Sequence, residues 1–235
     1  MATSRFVSGL EELACSREPA ALRFDDGPAL PQRVAVLPSA YNPPTLAHLR
    51  LLAVASALPG VGGVAALLTT QNVDKDLTGA GLAHRVGMLL AAREDRPGLA
   101  VLTTNAARFV DQAAGLRNAF PGVRFDFVAG YDTLVRIFEP RYYRDMHAEL
   151  TGLFASHSLV VTNRGDASLE AVHAFLERAH VRPYAGSIVT AELDDEAAAL
   201  SSTQARSHAA LGRHPESVPP AVAAYIREHR LYRDG

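Results

Sequence analysis

Cysteine occurs once in the chain, at Cys15. That excludes an internal disulfide and any zinc site built on several thiolates. No run of about 18 apolar residues is present, and no short apolar h-region stands near the N-terminus, so neither a membrane span nor a secretory signal is expected. The expectation is a soluble cytoplasmic protein with no membrane partner. Charge of one sign is also missing. Lys and Arg number 23 against 25 Asp and Glu, and no basic block occurs. This argues against a protein that coats nucleic acid, while leaving room for a local phosphate pocket. The dinucleotide fingerprint G-x-G-x-x-G, the P-loop and the elbow G-x-S-x-G are all absent. Their absence speaks against a dehydrogenase, a Walker-type ATPase and a covalent serine enzyme.

What the chain does carry is alternation. Arg33–Leu37, Val64–Thr69, Leu99–Leu102, Val123–Ala129, Ser158–Thr162 and Ser187–Thr190 read as strands. Between them Leu82, Val86, Leu89 and Leu90, the segment Phe109–Phe120, and Leu169, Val172 and Leu176 fall at helical spacing. Strand and helix in turn imply right-handed crossovers and a parallel sheet covered by helices on both faces, an α/β fold. Ligands of such sheets sit beyond the carboxyl ends of the strands, near a switch in strand order. Residues 1–32 read as an N-terminal extension without a motif: a short helix over Phe6–Ala14, then a polar, proline-punctuated approach from Glu18 to Pro31. With no repeat or linker beyond it, 33–235 is expected to be one domain closed by a small C-terminal helical segment. Nothing in the pattern specifies the oligomeric state, and a homo-oligomer is compatible with it.

One stretch organises the rest. Tyr41 to Leu52 reads YNPPTLAHLRLL directly after the first strand. Asn42-Pro43-Pro44 ends the strand, and the helix is expected to begin at or just after Pro44. Leu49, Leu52, Ala53 and Ala57 give it one buried face. Thr45 and His48, three apart, share the first turn, where unpaired N–H groups and the positive dipole end favour an anion. Alone, His48 would be taken as a packed histidine.

A second helix start lies near the other end of the chain. In Ser201-Ser202-Thr203-Gln204-Ala205-Arg206 the hydroxyls suit a cap, and Arg206 stands one turn along from Ser202. Such a start can grip polyphosphate through charge-assisted bonds. In Phe127–Leu134, FVAGYDTL, a strand ends at Gly130 and Asp132 stands at a helix start. Lys75 lies in a polar loop ahead of His84-Arg85-Val86-Gly87-Met88, and Arg164 follows the strand Val160–Thr162. Val218–Tyr232 reads as a packing helix with Val222, Tyr225 and Ile226 buried. His173, Glu177 and His180 recur at helical spacing, but Val172 and Leu176 explain that helix as packing, so no protein metal site is read there.

Taken together, these motifs resemble the nicotinamide/nicotinate mononucleotide adenylyltransferases of the nucleotidyltransferase superfamily. The family's F-(N/D)-P-x-(T/H)-x-x-H is matched by Tyr41, Asn42, Pro43, Thr45 and His48. Its (I/L)-S-S-T-x-x-R is matched from Leu200 to Arg206, its G-x-D-x-L by Gly130, Asp132 and Leu134, and its closing V-P-x-x-V-x-x-Y-I by Val218–Ile226. The likeness spans 33 to 232. Two departures stand out. Pro38-Ser39-Ala40 replaces the family's glycine-containing turn, and the chain has no tryptophan to stack on a pyridine ring. Phe138, Tyr142 and Tyr143 are the candidates to replace it.

The resemblance implies a Rossmann-like fold and transfer of the adenylyl group of ATP to a pyridine mononucleotide, giving the dinucleotide and pyrophosphate. It implies His48 as donor to the α-phosphate and Thr45 beside it, with Arg206, Ser202 and Thr203 on the leaving pyrophosphate. Ala40, Tyr41, Lys75, Gly130 and Asp132 are implied as further ATP-binding positions. Mg²⁺ is expected to be carried mainly by the ATP phosphates, with ATP and a pyridine mononucleotide as the small-molecule partners. Two other readings stay open: a nucleotidyltransferase with another phosphorylated acceptor, and a nucleotide-binding protein without turnover.

Overall fold

The strand Arg33–Ser39 (β2) is buried on both faces, with Val34 and Val36 on one side and Ala35 and Leu37 on the other. Such a strand needs a parallel neighbour on each edge and a helical layer above and below. The computed structural model supplies both. It describes residues 4–71, 79–163, 168–194, 200–213 and 215–233. In the sheet, β2 lies between β3 (Gly63–Thr69) and β5 (Arg124–Gly130). The chain first moves outward through β3 to β4 (Ala100–Thr104), then crosses over to β5, β6 (Ser158–Thr162) and β7 (Ile188–Ala191). The strand order therefore reverses between β2 and β5, and both run parallel.

The expected parallel sheet is present, from β4 across to β7, and one antiparallel strand is added at its edge. Within the polar approach, Ala21–Arg23 (β1) pairs antiparallel with β4. Its anchor is Asp25, whose carboxylate accepts the Val101 N–H at 2.8 Å and pairs with Arg23. The Arg23 guanidinium and the Val101 and Gly27 N–H groups hold the Asp25 carboxyl below the usual range, against the raising effect of burial.

Alternate residues of each strand feed two cores. One face of the sheet packs Leu37, Ala66, Leu68 and Val128 against α2 (Leu46–Ser56), α3 (Leu82–Asp95) and α9 (Pro220–Glu228). Phe6 and Leu10 of α1 (Ser4–Cys15) join this cluster. Contact between α3 and α9 is close enough that a Cβ on Gly87 would lie 2.1 Å from the Tyr225 hydroxyl. The opposite face packs Val36, Leu67, Phe127 and Val161 against α4 (Phe109–Ala119), α5 (Tyr131–Ile137), α6 (Met146–Ser156) and α7 (Leu169–Leu176). On the described residues, no helix is long and apolar enough to cross a membrane.

Candidate active site

Thr45 is the N-cap of α2, so the helix starts at Leu46 and Pro44 precedes the cap instead of opening the helix. The cap brings its own histidine into register. The Thr45 N–H donates to His48 Nδ1 at 3.0 Å, and the Thr45 hydroxyl lies 2.7 Å from the same nitrogen. A ring nitrogen that accepts a backbone N–H carries no proton, so the proton of the neutral imidazole is on Nε2. Nε2 lies 3.1 Å from the Ser39 hydroxyl at the end of β2. Both Thr45 and His48 are almost fully buried.

The turn between Ser39 and Thr45 is tightly held. Tyr41 has φ 44°, in the left-handed region that costs a bulky residue energy. Its ring is buried against the His48 ring at 4.9 Å, and its hydroxyl donates to the Leu37 carbonyl at 2.6 Å. The Ala40 carbonyl accepts from Arg85 Nη1 at 3.1 Å, while Arg85 Nε donates to Ala80. Burial pushes the Arg85 pKa down, with Tyr232 opposing that shift and the Arg206 charge adding to it. Asn42 accepts at Oδ1 from the Ala80 N–H at 3.2 Å and from the Tyr232 hydroxyl at 2.8 Å. Gly79, at φ 83°, leaves that amide the space a Cβ would fill. Burial raises the Tyr232 pKa, opposed by the Arg85 and Arg206 charges.

The second helix start arrives at the same turn. Ser201 caps α8 (Ser202–Ala210) by accepting the Gln204 N–H. Ser202 donates to the Pro43 carbonyl at 2.9 Å, and Arg206 Nη1 to the Asn42 carbonyl at 2.7 Å. Arg206 Nη2 reaches the Thr203 hydroxyl at 3.2 Å. Among the described residues, no carboxylate pairs with Arg206. The two polar helix starts therefore meet over one backbone turn, at the carboxyl end of the central strand.

Gly130, the N-cap of α5, ends β5 on the other side of the strand-order switch, and Asp132 is exposed in the first turn of that helix. Lys75 and Arg164 lie outside the described residues. Beside the turn opens a cavity of about 450 Å³, lined by Ser39, Ala40, Thr69, Phe109, Tyr142 and Tyr143 among others. This sorts the candidates for ring stacking. Phe138 is in the core, stacked on Phe154 at 6.3 Å, and does not reach the cavity. Tyr142 and Tyr143 do line it, and the Tyr143 hydroxyl is tied to the Ile137 carbonyl. His173 lies 3.3 Å from the Thr190 hydroxyl, and His180 packs on Phe138 and Phe175.

Three residues of the turn and cavity are not singled out by the sequence. In the sequence Ser39 is only part of an atypical turn. Phe109 is a helix-start aromatic with no distinguishing pattern. Tyr232, assigned to packing, reaches Asn42 across 190 residues. No local spacing or capping signal marks any of the three; even the start of α4 has no side-chain cap.

No protein-family model matches the chain. Curated proteins do. A probable nicotinate-nucleotide adenylyltransferase of Geotalea uraniireducens is 27% identical over 224 residues, covering 86% of this chain and 99% of the relative. One of Neisseria meningitidis serogroup B is 24% identical over 209 residues, 86% of this chain and 98% of the relative. A putative nicotinamide mononucleotide adenylyltransferase of Schizosaccharomyces pombe is 27% identical over 135 residues, 56% of this chain and 53% of its own. Among solved structures, the Plasmodium falciparum nicotinic acid mononucleotide adenylyltransferase complexed with NaAD matches with a TM-score of 0.64 at 16% identity, over 85% of this chain and 97% of that one. The chain is thus similar in sequence to nicotinate- and nicotinamide-nucleotide adenylyltransferases, and it shares the fold of the solved Plasmodium falciparum structure.

Proposed function

We propose that this protein transfers the adenylyl group of ATP to the phosphate of nicotinate or nicotinamide mononucleotide. The observation that carries the reading is the meeting of the Thr45–His48 and Ser202–Arg206 helix starts over the Asn42–Pro43 carbonyls. Two anion-favouring tips on one turn suit a polyphosphate, and the adjoining cavity gives a second substrate its place.

An oxygen of the acceptor phosphate attacks the α-phosphorus. A bond forms there, the bond from the α-phosphorus to the bridging oxygen breaks, and pyrophosphate leaves with the electron pair. A phosphate nucleophile, with its second pKa near ~6, is largely ionised at neutral pH and needs no general base. The protein's work is positioning and charge stabilisation. His48 gives its Nε2–H to an α-phosphate oxygen, and Thr45 fixes that tautomer from behind. Ser202, Thr203 and Arg206 hold the departing pyrophosphate. Gly130 and Asp132 border the nucleotide from the far side of the strand-order switch, and Ala40 and Tyr41 form the turn beneath the phosphates.

Thr45, His48, Ser202 and Arg206 bring no carboxylate, so this set of residues fits Mg²⁺ that arrives on the triphosphate rather than one held by the protein. When bound, it neutralises phosphate charge. A pyrophosphate-release assay with ATP, Mg²⁺ and each pyridine mononucleotide tests the proposal. Release with either mononucleotide, in step with dinucleotide formation, is the expected result. Release only with other phosphorylated acceptors, or tight ATP binding with no release, overturns it.

A further inference from the structure

Arg108 stands where the chain passes from β4 into α4, at the rim of the cavity, and its guanidinium is engaged on both edges. Nε and Nη2 donate to the two carboxylate oxygens of Asp111 at 2.7 and 2.9 Å, the planar fork matched to a carboxylate. Nη1 donates to Glu149 Oε2 at 3.0 Å and to the Tyr142 carbonyl at 2.7 Å. One cation thus lies between two carboxylates, so its charge is balanced inside the protein before any ligand enters.

The second carboxylate holds the same segment from its far end. Glu149, in the first turn of α6, accepts the Arg144 N–H at 3.0 Å and the Asp145 N–H at 3.4 Å on Oε1. Arg108 and Glu149 therefore fasten the chain between Tyr142 and Asp145 at three backbone groups. That chain begins as one 3₁₀ turn, Pro140–Tyr142. Its local bonds are short-range, Tyr142 N–H to the Glu139 carbonyl at 3.2 Å and Tyr143 N–H to the Pro140 carbonyl at 3.1 Å. A turn of this kind has poor hydrogen-bond geometry of its own. The clamp supplies what the turn lacks, and Tyr142 and Tyr143 stand at the cavity wall as a result.

We propose that Arg108 is a positioning residue for the acceptor: with Glu149 it holds Tyr142 at the cavity wall, and it makes no bond to the substrate itself. The assignment rests on the adenylyl-transfer reading, which makes the cavity the place of the mononucleotide.

A double-mutant cycle tests it, with kcat and both KM values measured for Arg108→Ala, Tyr142→Ala and the double variant. Arg108→Ala should raise the acceptor KM about 3- to 10-fold, the scale of one misplaced aromatic contact, with kcat and the ATP KM close to wild type. Because Arg108 acts through Tyr142, the double variant should be no worse than Tyr142→Ala alone. Glu149→Gln should raise the same constant, and it carries the same cycle if Arg108→Ala fails to fold. Amide hydrogen exchange at Arg144 and Asp145 should quicken in Arg108→Ala and in Glu149→Gln, whether or not the protein turns over. A double variant whose KM rise is the product of the two single rises makes Arg108 a direct ligand and overturns the proposal. So does an unchanged acceptor KM, or a loss confined to kcat. Quickened exchange in variants of a protein that forms no product with any pyridine mononucleotide overturns the adenylyl-transfer reading, and the acceptor role with it, while the clamp stands.

Discussion

The guanidinium of Arg206 donates to the carbonyl oxygen of Asn42 at 2.7 Å, across 164 residues of chain. That contact fixes a half-buried cation at the base of the turn that carries His48, and its partners among the described residues are neutral oxygens. Its charge is therefore available to an anion. Removal of charge-assisted bonds worth about 1.5–3 kcal/mol each should raise the ATP KM of Arg206→Ala by ~10-fold or more and lower kcat as well. Arg206→Lys should recover only part of this, because an ammonium cannot span Asn42 and a phosphate with a planar fork. Initial rates against ATP concentration decide it. A wild-type ATP KM in Arg206→Ala would remove the residue from the site.

Tyr142 and Phe138 are four residues apart and should fail in different ways. Tyr142 lines the cavity, with the Arg141 guanidinium 4.7 Å from its ring centre. Phe138 is 2% exposed and packed among Phe154, Phe175 and Tyr184. Tyr142→Ala should raise the acceptor KM about 3- to 10-fold, the scale of one aromatic contact, with little change in melting temperature. Phe138→Ala should cost about 3–5 kcal/mol of stability through the cavity it leaves. Thermal melts beside acceptor titrations separate the two, and the reverse pattern would reassign the wall of the cavity.

His157 gives the fold a pH dependence away from the site. Its ring lies against Phe125 and Phe127, and Nδ1 accepts the Phe125 N–H at 3.3 Å. Burial first, then the Arg117 charge, pushes its pKa down from 6.5 to about 4. The unfolded chain therefore takes the proton before the folded one does. Stability from this group is complete above pH ~6.5 and is lost as pH falls towards ~4. Urea midpoints between these values should fall with pH in the wild type. His157→Leu should start lower, having lost an acceptor, and fall less steeply. Equal slopes for the two proteins would refute the assignment.

Both helix starts could be read from the sequence because capping and turn chemistry are local. Asn42-Pro43-Pro44 can only be a turn, and Ser201 before an apolar-spaced segment can only be a cap of this kind if a helix follows. The strands were legible for a related reason: β2 to β6 are buried on both faces, so each reads as a largely apolar run, although β5 carries the buried Asp126, paired with Arg33, inside it. β1 was not. Three residues with one buried position carry no period, and its pairing depends on Asp25 reaching Val101 from outside the strand. α6 was missed because its apolar residues are spread without a clean face. Contacts such as Tyr232 to Asn42 exist only after the chain has folded, and no spacing rule records them.

The turnover of His48→Ala tests the central claim most directly. If the two helix starts converge to stabilise a transferring adenylyl group, kcat for pyrophosphate release with ATP and a pyridine mononucleotide should fall by ~10²-fold or more, the cost of removing a transition-state donor. Turnover equal to wild type in a folded His48→Ala protein would contradict the account.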